Sequence, residues 1–210
     1  PNEEIAVLFL PELKTIAEIA DHLTEVHSGV SSDLNRGLSI TTQIRDYARM
    51  SEFKRGDEPV DIISLLKRYG DRYRQDFERI GITYTIEGPE TAVVKADETH
   101  INSIFSNLIL NARDALEEQK KEAGTITVRI EKIDKPGQKR LMVKVEDNGP
   151  GIPPEQISEI FEPFFSTKPT TGTGLGLGIA KRLVQLYDGT IDVESDEGSG
   201  TVFQVTLTEL

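Results

Sequence analysis

The stretch Leu141-Met-Val-Lys-Val-Glu146-Asp147-Asn148-Gly149-Pro150-Gly151-Ile152 sets the fold of the larger part of this chain. Leu141–Glu146 reads as a strand that runs directly into a turn of Asp, Asn and Gly. Upstream, Pro136-Gly137 marks a turn and Thr125–Ile133 a second strand. Before that, Asp97 begins a helix carrying Ile101, Ile104, Phe105, Leu108, Ala112 and Ala115 on apolar positions. Val93–Ala96 is a short strand, and Ile82–Ile86 alternates as another, closed by Gly88-Pro89. Ile62, Leu65, Leu66, Tyr69 and Tyr73 share one helical face. Downstream, a glycine-rich region leads into a helix from about Leu175 to Leu186. Two last strands, Thr190–Ser195 and Thr201–Leu207, flank Asp196-Glu-Gly-Ser-Gly200. There is no internal repeat. The pattern predicts an α+β fold: a mixed, largely antiparallel sheet with helices on one face, an α/β sandwich.

Residues 1 to about 53 carry no strand signal. Phe9, Leu13, Ile16, Ala20, Leu23 and His27 step by alternating fours and threes, a heptad-like seam on one helix. Ser28–Asp33 breaks it, with Ser32 or Asp33 able to cap a second helix marked by Leu34, Leu38, Ile40, Ile44, Tyr47 and Ala48. The expectation is an antiparallel helical hairpin. Two helices bury little alone, so pairing of two copies through residues 5–52 into a dimeric four-helix bundle would complete the core. Phe53–Pro59 reads as a polar linker, which gives a hairpin over 1–55 and a second domain over 56–210.

Composition narrows the function. At 37% hydrophobic and 29% charged, the 210 residues are those of a globular chain. The near-apolar run Ile5–Leu10 is too short to span a bilayer, and the acidic start Pro1-Asn2-Glu3-Glu4 argues against a secretory signal. These favour a cytoplasmic location without membrane contact, whether alone or as the cytoplasmic part of a larger protein. No cysteine and three histidines disfavour disulfides and structural zinc. A net charge of -12 disfavours nucleic-acid binding. Any phosphate must be gripped locally, by backbone N–H groups, a metal or a few placed cations.

Four features carry chemistry. Asn107 and Asn111, within Asn107-Leu-Ile-Leu-Asn111-Ala112-Arg113-Asp114-Ala115, share a helix face beside an apolar stripe, where carboxamides need partners. Asp147, at a strand end beside glycines, can accept a hydrogen bond from a ligand amine. Gly172, Gly174, Gly176 and Gly178 run into a helix start, where backbone N–H groups and the helix dipole favour an anion. The spacing is neither that of a dinucleotide fold nor of a P-loop. Gly198-Ser199-Gly200-Thr201 is a turn. Between the second and third features, Phe161, Phe164 and Phe165 precede Ser166-Thr167-Lys168 and a Pro/Thr/Gly-rich stretch. This reads as a lid anchored by its phenylalanines, with Lys168 able to reach a terminal phosphate.

Together, over residues 59–210, these features resemble the ATP-binding domain of sensor histidine kinases, within the superfamily shared with gyrase B, MutL and the pyruvate dehydrogenase kinases. The N, G1, F, G2 and G3 boxes match in wording, order and spacing. The resemblance implies ATP and Mg²⁺ as cofactors. It implies Mg²⁺ on Asn111 with Asn107 nearby, and Asp147 accepting from the adenine amino group with support from Thr201. Gly149 and Gly151 would allow close approach, and Gly172, Gly174 and Gly176 would embrace the phosphates. Asp114, Ile152, Phe164, Lys168, Thr173, Leu175 and Leu177 complete the implied site, with residues 153–173 as a mobile ATP lid. Hydrolases of the superfamily carry Glu where this chain has Asn107, a carboxamide that takes no proton, so a phosphoryl donor is expected.

The hairpin resembles the dimerisation and phosphotransfer domain of the same kinases. Its implied partners are a second copy and a response-regulator receiver domain, whose aspartate takes the phosphoryl group in two-component signalling. The best match to the family's phosphoacceptor motif is Pro11-Glu12-Leu13-Lys14-Thr15. Glu12 stands where a base is expected, and Pro11 where the histidine is expected. His22 and His27 remain the alternatives, while His100 reads as a surface residue. Two other readings stand beside the active kinase: a nucleotide-binding signalling module that cannot be phosphorylated, favoured by Pro11, and a gyrase- or MutL-like ATPase, disfavoured by Asn107.

Overall fold

The computed structural model describes residue 41 and residues 53–120, 123–135, 138–166 and 173–210. The chain divides into two units, Pro1–Arg45 and Asp46–Leu210. Apart from Thr41, the described residues belong to the second. The expected hairpin, with its dimer seam, lies outside them.

Seven strands and three helices follow one another among the described residues of this unit. They are β1 (Glu58–Asp61), α1 (Ile62–Arg79), β2 (Ile82–Glu87), β3 (Val93–Ala96), α2 (Glu98–Gln119), β4 (Gly124–Lys135), β5 (Gln138–Asp147), α3 (Gly176–Leu186), β6 (Thr190–Asp196) and β7 (Gly200–Thr208). The main sheet has the order β2-β4-β5-β7-β6, and β1 pairs with β3 in a separate two-stranded sheet. Only β2 and β4 run parallel; the remaining pairs are antiparallel. The α+β expectation with a mixed, largely antiparallel sheet therefore holds. One boundary differs. Glu58 and Pro59, read as linker, begin β1, because β3 supplies the pairing that four residues cannot provide alone.

Alternation puts one face of the sheet in the core. Ile126, Val128 and Ile130 of β4, Leu141, Val143 and Val145 of β5, and Phe203, Val205 and Leu207 of β7 are buried. They meet Ile101, Ile104, Phe105, Leu108, Ile109, Ala112 and Leu116 of α2 and Ile179, Leu183 and Val184 of α3. Each Val, Leu, Ile or Phe among them stabilises the fold by about 1.5–3 kcal/mol. The other face is polar. On it, Arg129 bridges Glu87 at 2.8 Å and Glu146 at 2.5 Å.

Capping fixes where the helices start. Asp97 accepts from the Thr99 N–H at 2.7 Å and so begins α2. Asp61 accepts from the N–H of Ser64 at 3.2 Å and from that of Ala92 at 2.8 Å, which ties the start of α1 to the approach to β3. His100, read as a surface residue, is half-buried and hydrogen-bonded to Tyr187 at 2.8 Å.

Burial alone would push the Asp61 carboxyl up, but hydrogen bonds from Ala92 and Ser64 outweigh it and hold it below the ordinary 3.8. A depressed carboxyl contributes stability that is present above its unfolded value and lost as pH falls through the folded one. Asp61→Ala should therefore cost about 1–2 kcal/mol at pH 7. The gap between variant and parent should close as pH drops below about 4. Urea denaturation followed by circular dichroism at pH 7 and pH 3 checks both.

Candidate functional site

The polar face of α2 is the floor of the site. Asn107, Asn111 and Ala115 are spaced i, i+4, i+8 and so stack along one side of the helix. From Asn107 to Ala115 is about 12 Å at 1.5 Å per residue, close to the length of a nucleotide. A different loop closes each end.

At the Ala115 end stands the loop after β5. A Cβ on Gly149 would lie 3.7 Å from those of Ala115 and 2.7 Å from Asp147 Oδ1. Asp147 accepts from the Gly149 N–H at 2.8 Å, which fixes its carboxylate at the strand end. The β6–β7 hairpin clamps this loop from the other side. Thr201 pairs with Asp147 in the ladder and is buried. Gly200, at φ +110, is so close that a Cβ would stand 2.1 Å from the Asp147 carbonyl oxygen; at Gly151, φ +73, one would stand 2.2 Å from that of Asp196. Any side chain at either position would prise the loop off the hairpin.

Ser195 is the pin between them. Its hydroxyl donates to the Gly200 carbonyl at 2.8 Å and accepts from the Ile152 N–H at 2.8 Å. A hydroxyl has one proton. With that proton on Gly200, the 3.1 Å contact between Ser195 and Thr201 is a bond donated by Thr201. Thr201 Oγ1 then offers lone pairs beside the Asp147 carboxylate, so this end accepts hydrogen bonds and suits an amino group.

At the Asn107 end stands the start of α3. Asn107 Nδ2 donates to the Ser103 carbonyl at 2.8 Å, and its Oδ1 faces Gly176, where a Cβ would stand only 2.6 Å away. Glycine here lets the helix start seat on α2. Leu175 is the N-cap residue without a side-chain cap bond. Its own N–H meets Thr173 Oγ1 at 3.3 Å. The first N–H groups of α3 thus have no side-chain cap, and a helix start of this kind favours an anion. Leu177 packs on the core.

Asn111 lies midway. Among the described residues no hydrogen bond reaches its carboxamide, whereas Asn107 is held by its own helix. Asp114 takes two bonds from Arg113, at 3.0 and 2.5 Å. Pro11, Glu12, Lys168 and Gly172 lie outside the described residues. The first part of the expected lid, from Pro153, is folded into hydrogen-bonded turns, with Ile160 buried and Phe161 edge-on to Phe203. Phe161 and Phe165 pack on the core as anchors. Phe164 does not. Its backbone, at φ +68, turns the side chain outward to 66% exposure while its N–H donates to the Gly174 carbonyl. A groove of 620 Å³ between α1 and β2, lined by Lys67, Phe77 and Tyr84 among others, contains none of these residues.

A helix face with a carboxylate and a hydroxyl at one end and an uncapped helix start at the other has the length and the polar groups that suit a nucleotide. Residues 96–210 match the family described as histidine kinase-, DNA gyrase B-, and HSP90-like ATPase. The chain belongs to this family, and its core is the ATP-binding core of a histidine kinase. The sensor protein ChvG of Agrobacterium fabrum is 34% identical over 204 residues, covering 90% of this chain and 32% of that protein. The sensor histidine kinase ZraS of Klebsiella oxytoca is 32% identical over 190 residues, covering 90% and 38%. Among solved structures, the catalytic domain of histidine kinase ThkA superposes with a TM-score of 0.63 at 30% identity, over 75% of this chain and 97% of that one. Full-length ShkA in complex with AMPPNP gives 0.70 at 28% identity, over 82% and 35%. The chain thus spans about a third of the length of the curated relatives named here. Among the described residues no helix is long and apolar enough to cross a membrane.

Ser195 was legible in the sequence only as a strand residue, yet it connects three parts of the site. Ser195→Ala should lower ATP affinity about tenfold by freeing the Asp147 loop, since each lost hydrogen bond weakens it by about 1 kcal/mol. Titration calorimetry on the folded variant checks this.

Proposed function

We propose that this chain is the kinase core of a two-component sensor: it binds ATP with Mg²⁺ and passes the γ-phosphoryl group to a histidine, from which a response-regulator aspartate takes it. The observation that carries the reading is the pairing of Asp147 and Thr201 at one end of the α2 face with the start of α3 at the other. Adenine would sit at the first end, its amino group donating to Asp147. The phosphates would lie on the N–H groups of α3, with Gly172 and Lys168 completing their shell.

The donor set suits Mg²⁺. Asn111 offers a hard carboxamide oxygen without a competing partner, and among the described residues no cluster of three or more His, Cys, Asp or Glu could bind a metal alone. Mg²⁺ is usually held by few protein oxygens together with substrate phosphates and waters, and Asn111 would supply the protein oxygen here. Bound there, it would neutralise charge on the phosphates. The side chains hold the nucleotide and exclude competing geometries, because phosphoryl transfer rests on positioning and charge. Asn107 provides no base for water, which supports a donor rather than a hydrolase.

In the transfer, the bond from the γ-phosphorus to its bridging oxygen breaks, ADP leaves, and a phosphorus–nitrogen bond forms to an imidazole that gives up its proton. Dimerisation through residues 5–52 would present that imidazole. At the matching position stands Pro11, whose nitrogen is locked in the peptide bond, while Glu12 keeps its place as base. Pro11 supports a second reading, a nucleotide-binding signalling module that cannot itself be phosphorylated.

One experiment tests the nucleotide site that both readings share, and a second separates the readings. Asp147→Asn keeps the shape but weakens the acceptor, and a hydrogen bond to a charged group is worth about 1.5–3 kcal/mol. ATP affinity should fall tenfold or more in calorimetry; equal affinity for ATP and GTP in the parent chain would refute the adenine site. Incubation with radiolabelled ATP should give acid-labile, base-stable label in Pro11→His and none in the parent. Label on His22 in the parent would move the phosphoacceptor there, and no label in either protein would favour the non-phosphorylatable module.

A further inference from the structure

The hydroxyl of Tyr187, just past the end of α3, joins three parts of the chain. It accepts from the Asp97 N–H at 2.9 Å and from the Gly56 N–H at 3.2 Å, and it lies 2.8 Å from His100 Nδ1. Gly56 belongs to segment 53–57, which precedes β1 within this unit. That segment is pressed on the domain. A Cβ on Gly56 would stand 2.5 Å from the Asp97 nitrogen. The Phe53 ring lies 5.1 Å from the His100 ring, and Arg55 covers Tyr187 at 5.7 Å while pairing with Asp188.

A phenol oxygen has one proton and two acceptor sites. Both acceptor sites are taken by backbone N–H groups, so the proton must point to His100 Nδ1. That nitrogen must then be unprotonated, with the ring proton on Nε2. If the ring gains a proton, Nδ1 becomes a donor facing an oxygen that already accepts twice. One of the three bonds must then break. The Gly56 bond is the longest, and Asp97 is fixed besides by its cap on α2.

We propose that Tyr187 and His100 form a proton-operated latch on segment 53–57, closed when the His100 ring is neutral and opened when it is protonated. The groups around the ring are the Tyr187 hydroxyl, on Nδ1, and Asp97, which caps the start of α2. Arg55 and Asp188 are held beside Tyr187. The Asp97 carboxyl is held low first by the Thr99 hydroxyl and, among smaller causes, by the charge of His100. An imidazole is the side chain whose charge ordinarily changes between pH 5 and 8. α3 has 11 residues and is about 16 Å long. Its first turn is the proposed anion-binding end and its last leads to the latch, so the two sites share one rigid element.

The test is amide hydrogen exchange read by NMR on the full chain, expressed as protection relative to the unstructured rate, from pH 8 to pH 5. Protection of the Gly56 amide should fall at least tenfold, with the same midpoint as the His100 ring signals, while a core amide such as Ile104 stays unchanged. His100→Gln keeps a neutral acceptor for Tyr187 and should hold Gly56 protected across the range. Tyr187→Phe should leave it unprotected throughout. Gly56 protection that stays constant in the parent chain, or falls equally in His100→Gln, overturns the proposal. If His100→Gln does not fold, the shared midpoint in the parent decides alone.

Discussion

A chain of net charge -12 can hold a polyanion only where groups placed at close range, backbone N–H groups foremost, meet it locally. The rest of the site depends on that constraint. The start of α3 must be open, uncapped by a side chain, and seated against α2 close enough to aim its N–H groups along the Asn107–Asn111 face. Gly176 permits the seating, because Asn107 Oδ1 occupies the space a side chain would need. Asn107 in turn is steadied by the Ser103 carbonyl. Anion binding at this end, as proposed, would therefore be a packing result between two helices rather than a property of a basic surface.

The opposite end is built from strand register. Asp147 ends β5 opposite Thr201 at the start of β7, and the β6–β7 hairpin presses on the loop that follows. Ser195 distributes three hydrogen bonds so that Thr201 is left accepting beside the carboxylate. The two ends are separate devices on one helix, and their spacing is fixed by the rise of α2 alone. This explains how a domain with a polar, solvated outer sheet face concentrates its binding groups in one place.

Much of this was legible in the sequence because each element carries its own signal. Asp97 announces α2, the apolar positions from Ile101 to Ala112 trace its buried stripe, and the strands β4 to β7 alternate in and out. The box residues Asp147, Asn111 and Gly176 stood out by type and order. What escaped reading depends on distant partners. Glu58 and Pro59 are strand only because β3 lies beside them. Ser195 acquires its role from Ile152 and Gly200, which register brings to it. Phe164 looks like an anchor by composition, but its positive φ turns it outward. His100 looks like surface until Tyr187 and Phe53 fold onto it.

The most direct measurement is a crystal structure of the full chain with Mg²⁺ and a non-hydrolysable ATP analogue. The adenine amino group should lie within hydrogen-bond distance of the Asp147 carboxylate, with Thr201 beside it and the phosphates over the first turn of α3. Adenine bound away from Asp147, or a nucleotide lying in the reverse sense along α2, would contradict the account.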